Sequence, residues 1–288
     1  MTYLTLGGIF MKNKFTLLFL AMLTASVPAY ASPAVSFEKG MVQLDVSGWN
    51  TEGNYSKLDQ YYESGPKSSL GRPAHHSAKS TKFNNDSWNL SGSVTYGLSD
   101  KWALQYQYSK MSAESGFPYH SYLYYSELSG KEQLSGYSHE LNVLYSINNY
   151  AAVYGGIKRI HTSLKFKDIS SGYNYTPDLS GAYLGQTNNI IHMGLTGRYP
   201  LSEKSNIYGK IGFGAQDTTE AELGMSSQVS SDLDINVGYR YLKTQGNNGA
   251  VIFSDDDYSQ NIISPARNAG RDVTFRGFTL GLSYRFNQ

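Results

Sequence analysis

His161-Thr162-Ser163 is the stretch of this chain whose residue types and spacing most directly suggest a nucleophile. On an extended backbone, residues two apart share a face, so an imidazole there could take the proton of a serine hydroxyl. A working pair also needs a third group to orient the base, and Leu164-Lys165 supplies none. An H-x-S tripeptide arises often by chance, so a polar strand extension is expected. Metal chemistry has less to work with. His75-His76 is a pair in a polar stretch, whereas a metal centre needs converging ligands with partners behind them. Ser254-Asp255-Asp256-Asp257 offers the oxygen ligands that Ca²⁺ prefers, but without the glycine-punctuated spacing of a calcium loop, so a solvated acidic turn is expected. Cysteine is absent, which removes disulfides and thiolate sites. On these grounds no catalytic, cofactor or metal site is expected.

The charged residues say more. Asp45, Glu140, Glu222 and Asp234 fall on the polar face of alternating segments, as do Lys158, Arg198, Lys210, Arg240 and Arg285. If that face lines a narrow interior, opposite charges must pair across it, because an unpaired buried charge is strongly unfavourable. The near balance of signs predicts a filled lumen rather than a wide selective pore. An open lumen would instead favour anionic solutes weakly, through its excess of cations.

The elements that carry these residues repeat with a period close to 2. Val42, Leu44 and Val46 alternate with Gln43, Asp45 and Ser47; Trp88, Leu90, Val94 and Tyr96 alternate with Asn89, Ser91, Ser93 and Thr95. After the turn Leu98-Ser99-Asp100-Lys101 the pattern resumes with Trp102, Leu104, Tyr106 and Tyr108. It recurs around Leu141 to Tyr145, Ala151 to Ile157, Ile191 to Tyr199, Ile207 to Phe213, Leu223 to Met225, Leu233 to Tyr241 and Phe278 to Phe286. That makes ten segments, each near the roughly 9 to 11 residues a tilted membrane-spanning strand needs. Their connections sort by length. Turns near Ser99, Asn148, Ser202 and Ser230 are short, whereas Asn50 to Asp86, Met111 to Leu134, His161 to Thr187 and Thr244 to Arg271 are long and polar. Ala215 to Glu220 is the one short connection on the long-loop side, which leaves eight or twelve strands as alternatives.

A soluble β-sandwich also alternates, but its outer face is the polar one and its turns are not sorted by length. Here the polar face is the plausible interior, with Trp88, Tyr96, Trp102, Tyr145, Tyr199, Tyr239, Tyr284 and Phe286 near strand ends, where interfacial girdles belong. The expected fold is therefore all-β, an antiparallel transmembrane β-barrel over residues 32–288. Residues 1–31 read as a signal peptide. Lys12 and Lys14 form its basic region, Phe15 to Leu23 its apolar region, and Ala29-Tyr30-Ala31 the small-x-small cleavage pattern, with Met1 to Phe10 an upstream start artefact. The run is diluted by Thr24 to Pro28 before it reaches the roughly 20 apolar residues of a membrane helix. The whole chain carries 24 Lys and Arg against 23 Asp and Glu; residues 1–31 hold two of the Lys and no acid. No polybasic face for nucleic acid is implied.

On these residues the chain resembles the bacterial outer-membrane β-barrel superfamily over nearly all of its length after the signal. The specific mark is the last strand, Gly281-Leu282-Ser283-Tyr284-Arg285-Phe286, whose aromatic Tyr284 and Phe286 match the signal such proteins present to the barrel assembly machinery; Asn287 and Gln288 follow it here. The resemblance implies an outer-membrane location, contact with outer-membrane lipids and a monomer. Length, loop layout and ten strands are similar to those of the omptin surface proteases, which need an Asp pair and an Asp-His pair on facing loops to activate water. Met111 to Leu134 holds Glu114 and Glu127 but no Asp, and Ala215 to Glu220 holds Asp217 but no His. The H-x-S pattern is similar to that of the outer-membrane phospholipase and lipid A deacylase families, although the phospholipase motif continues into Asn-Gly. The expected function is non-enzymatic, through long loops engaging a surface ligand of unknown identity: surface contact, adhesion or envelope integrity. A narrow channel for small solutes is the second expectation. A lipid-active hydrolase using His161 and Ser163 is the third.

Overall fold

The computed structural model describes residues 33–59, 77–83, 88–121, 126–171, 183–246, 252–253, 261–262 and 271–286. The candidate signal peptide, with Ala29 and Ala31, lies outside them, as do His75-His76 and Ser254-Asp255-Asp256-Asp257. The described strands are β1 (Val42–Asp59), β2 (Ser77–Phe83), β3 (Trp88–Gly97), β4 (Trp102–Ser121), β5 (Ser126–Asn148), β6 (Ala151–Ser171) and β7 (Tyr183–Pro200). They continue as β8 (Ser205–Gly214), β9 (Thr218–Gln228), β10 (Leu233–Gly246), β11 (Ile252–Phe253), β12 (Asn261–Ile262) and β13 (Arg271–Phe286).

Ten of them close a barrel in the order β1-β3-β4-β5-β6-β7-β8-β9-β10-β13, with β13 returning to β1. All neighbouring pairs are antiparallel, and Val42 stands opposite Phe286, so the two ends of the barrel meet on one side. The expected count of ten holds, and eight or twelve strands drop out. β2 is an eleventh strand of the sheet, continuing the wall above β3 by pairing with the far end of β1 from Gly53 to Asp59.

Side-chain polarity explains why this sheet closes where it does. Lipid cannot hydrogen-bond a sheet edge, so all edges must be paired. The outward face carries Leu44, Val46, Leu90, Leu104, Leu141, Ile157, Ile191, Met193, Leu195, Ile211, Leu223, Leu280 and Leu282, all exposed, with Ile191 at 74%. The inward face is buried Gln, Ser, Thr, Asn and charged side chains. That inversion is what a lipid solvent selects. Aromatic rings flank the band: Trp102 and Tyr145 lie 4.8 Å apart by ring centroids near the short turns, and Tyr239 and Phe278 lie 5.3 Å apart near the other rim.

Three of the short turns repeat one solution. Leu98 and Ser99 amides donate to the Trp102 carbonyl, Leu201 and Ser202 amides to that of Ser205, and Val229 and Ser230 amides to that of Leu233. Ser99 and Ser202 add hydroxyls that accept from amides two and three residues on, the local bonding that makes serine a turn residue.

Wall height departs from the even spans expected. β5 has 23 residues and β6 has 21, against 10 in β8 and 11 in β9. Met111 to Ser121 and Ser126 to Leu134 are therefore not loop but strand, with β4 and β5 paired from Trp102↔Tyr145 up to Ser121↔Ser126. Most of His161 to Thr187 is likewise strand. Above the lipid band the polarity turns over again, because the outside is now water. There Trp49, Met111, Ala113, Leu134, Ile160, Leu164, Ile190, Leu242, Val273 and Phe275 point inward as one apolar cluster with Phe83. On the low side, the connection between β8 and β9 is shorter than Ala215 to Glu220: Gln216 and Asp217 turn with φ of 57° and 52°, and Thr218 already begins β9. Above that short hairpin β7 reaches β10 directly, with the Asn188 amide donating to the Gln245 carbonyl at 2.8 Å.

Candidate functional site in the barrel lumen

The lumen is filled in layers, and each layer follows from the alternation of the strands around it. Lowest is the segment before β1. Ala34, Val35, Phe37 and Met41 are buried against Ala103, Leu144, Ala152 and Tyr154, so this segment lies inside the short-turn mouth. Its backbone is fastened by the Gly40 amide to the Gly97 carbonyl at 2.9 Å and by the Gly97 amide to the Met41 carbonyl at 2.8 Å. Arg198 donates to Ser36 Oγ at 3.2 Å. Just above, Tyr154 and Tyr208 lie across glycines of the following strands. A Cβ on Gly194 would come within 2.5 Å of Tyr154 Oη, and one on Gly224 within 2.5 Å of Tyr208 Oη. Glycine is required at these positions so that a ring can lie flat against the wall.

The middle layer is ionic. Lys158 Nζ lies 2.7 Å from Glu140 Oε1 and is also paired with Glu220. Lys210 Nζ lies 2.6 Å from Glu220 Oε1 and 3.7 Å from Glu140 Oε2. Arg240 Nη2 lies 3.5 Å from Glu220 and 3.9 Å from Glu140, and its Nη1 donates to Ser109 Oγ at 2.9 Å. The guanidinium sits 4.9 Å from the centre of the Trp49 ring, and Lys210 Nζ sits 5.1 Å from the centre of Tyr154, both in cation–π range. Three cations thus share two carboxylates in a buried interior, where strength depends on every partner being present. The apolar cluster from Trp49 to Phe275 lies above them.

All nine charged residues singled out in the sequence lie on strands at inward positions, but they do not form one network. Glu140, Lys158, Lys210 and Arg240 come together. Glu222 stands across from both Lys210 and Arg240 in the register and accepts from Tyr208 Oη at 3.1 Å. Asp45, Arg285, Asp234 and Arg198 form a lower belt. Asp45 accepts from Gln43 at 2.9 Å and Ser93 at 2.6 Å, and Arg285 donates to Gln43 at 2.9 Å. Asp234 stands across from Ser283, which in turn stands across from Asp45. The sequence alone does not reveal Glu220, because Ala215 to Glu220 reads as a connection, whereas Glu220 lies on β9. Its spacing of two from Glu222 is the signal that puts both on one face of β9.

Between the ionic layer and the buried segment lies a cavity of about 100 Å³, lined by Asp45, Gln105, Gln107, Lys210, Glu222 and Arg240 among others. It is polar and roomy enough for water. The H-x-S pair is not assembled for catalysis. Ser163 Oγ lies 2.8 Å from Ser135 Oγ on the neighbouring strand, and His161 Nδ1 lies 2.9 Å from Thr187 Oγ1 while its ring stacks on Tyr137. These residues stand above the lipid band, where burial, with Arg159 and Lys165 nearby, holds the His161 imidazole below its usual range. Tyr284 and Phe286 face outward with ring centroids 4.5 Å apart.

A closed, even-stranded barrel with an apolar exterior and a polar, charge-paired interior defines a bacterial outer-membrane β-barrel protein. No protein-family model matches the chain, and no curated protein matches its sequence. Among solved structures it is similar to the outer membrane protease OmpT from Escherichia coli, with 15% identity and a TM-score of 0.57 over 88% of this chain and 99% of that one. It also aligns with Ail, the attachment invasion locus protein of Yersinia pestis, at 14% identity and a TM-score of 0.35, over 86% of this chain and 99% of that one. OprG from Pseudomonas aeruginosa aligns at 13% identity and a TM-score of 0.32, over 88% and 98%. The likeness to OmpT is one of fold. The chain's own closed barrel and lipid-facing apolar band place it in the bacterial outer membrane.

Proposed function

We propose that this protein is a non-enzymatic outer-membrane barrel with a sealed lumen, which acts through its extracellular strand extensions in surface contact, adhesion or envelope integrity. The observation that carries this reading is the filling of the lumen at three levels, while β4, β5 and β6 run far beyond the lipid band. A barrel built to conduct would keep an aqueous path. One built for omptin-like hydrolysis would need an Asp-His pair over the β8–β9 hairpin. That hairpin turns at Gln216-Asp217, too tightly to carry one. A lipid hydrolase using Ser163 is disfavoured by the pairing of its hydroxyl with Ser135. A narrow channel is the second reading, favoured by the polar cavity below the ionic layer.

The test shortens the tall hairpin. Replacing residues 115–130 with an Asn-Gly turn, the favoured two-residue hairpin connection, should leave a barrel that folds and inserts. Cells carrying it should lose attachment to surfaces or resistance to detergent relative to cells with the full chain. If both properties match the full-length protein, the extensions are not where the function lies.

A further inference from the structure

The outer wall of β4, β5 and β6 carries a cationic and aromatic patch that the closed-lumen reading does not use. Lys110 and Arg159 are exposed on it. Counted from Trp102 and Ala151 at the short-turn rim, each lies eight residues up its strand. That is roughly 20 Å along the barrel axis at 3.4 Å per residue and a 40° tilt. The lipid band is about 25 Å tall, so both residues lie about 5 Å below its upper edge, within the reach of long cationic stems to the outer leaflet's headgroups. Between them the wall is built of Tyr108, Tyr137, His139 and His161. Tyr106 Oη lies 2.7 Å from His139 Nδ1, the Tyr108 and His139 ring centroids are 5.2 Å apart, and Tyr137 stacks on His161 at 5.0 Å. Register puts Lys110 across from Tyr137, and Arg159 across from His139 and Asn189. The two cations are therefore two strands and two residues apart, roughly 12 Å by strand spacing.

Cations at the same rim elsewhere face acids. Arg276 Nε and Lys82 Nζ lie 3.5 and 3.8 Å from Glu52, and Lys243 Nζ lies 2.8 Å from Asp272. On the β4–β6 wall the nearest outward acid in the register, Glu114, stands two outward positions above Lys110. Positive charge that has no cross-strand acid among the described residues, close to headgroup height and continuous with the apolar band beneath it, complements an anion that is attached to acyl chains.

We infer that this wall binds a phosphorylated lipid headgroup of the outer leaflet, with Lys110 and Arg159 holding phosphate and the tyrosines donating to its sugar or phosphate oxygens. Arginine and lysine are the side chains suited to that charge, the first by its fork of donors and the second as a point charge.

The experiment uses the full chain refolded in detergent and native mass spectrometry. Probes are a bis-phosphorylated glycolipid, the same lipid after phosphatase treatment, and inorganic phosphate. Lys110→Ala with Arg159→Ala should weaken the phosphorylated lipid about tenfold or more. Lys82→Ala with Lys243→Ala, which removes paired cations from the same rim, should change it little. Heat-modifiable migration on gels checks that each variant is folded. Equal affinity for the dephosphorylated lipid, or no loss in the Lys110/Arg159 variant, would overturn the inference. Inorganic phosphate binding as tightly as the lipid would overturn the assignment to a lipid and leave a free-anion site.

Discussion

Glu220 is paired with Lys158, Lys210 and Arg240 at once, so removing its carboxylate leaves three buried cations facing Glu140. Breaking a buried ionic cluster from one side costs about 3–5 kcal/mol. Glu220→Ala should therefore lower folding stability by that order, whereas Glu222→Ala should cost less because its carboxylate borders the polar cavity and accepts one tyrosine hydroxyl. Urea-dependent folding into lipid vesicles measures both, and equal losses would mean that the ionic layer is not centred on Glu220. The last strand offers a second comparison. Leu280 faces lipid, and an arginine there should cost about 2–4 kcal/mol near the midplane. Ser283 faces inward, directly across from Asp45 on one side and Asp234 on the other, so Ser283→Arg introduces a cation between two acids and should cost less. A larger loss for Ser283→Arg than for Leu280→Arg would contradict the facing of β13.

The alternation that defines β1, β3 and β13 was legible because lipid outside and polar lumen inside give each residue a different solvent. The same rule hid the extensions. Beyond Lys110 and Arg159 the outside is water, so apolar residues such as Leu134, Ile160 and Leu164 turn inward, and a pattern read as loop is strand with its polarity reversed. Trp49 is the residue at which β1 changes over: fully buried, it ends the polar inward run of Gln43, Asp45 and Ser47 with an apolar ring. The glycines beneath Tyr154 and Tyr208 were legible only as members of a polar face, since their role depends on rings one and two strands away. At this scale the account predicts sidedness. Epitope tags inserted at Ser99 or Asn148, in short turns, should be shielded on intact cells until the outer membrane is permeabilised. A tag beside His120, at the tip of the β4–β5 hairpin, should be detected and cleaved by added protease, as should tags near Ser64, Tyr173 and Asp256, which lie outside the described residues. Surface detection of the Ser99 or Asn148 tags on intact cells would reverse the orientation.

As a whole molecule, this is a barrel whose interior is occupied at three levels, by residues 33–41 in the lower mouth, an ionic layer at mid-height and an apolar cluster above, with a cavity of about 100 Å³ between the lower two. The balance of inward charge could be read from the sequence and pointed to a filled lumen. The buried segment before β1 could not, because the alternation Val35-Ser36-Phe37-Glu38 is too short to mark an element and its burial depends on Leu144 and Tyr154 from distant strands. The central claim, that the lumen is sealed, is tested most directly by single-channel recording on the refolded protein in a planar bilayer, alongside Arg240→Ala. The account predicts little steady conductance for the natural chain, and for Arg240→Ala a loss of folding stability as its acidic partners go unpaired. A large, stable conductance whose anion preference falls in Arg240→Ala, with folding stability unchanged, would contradict it.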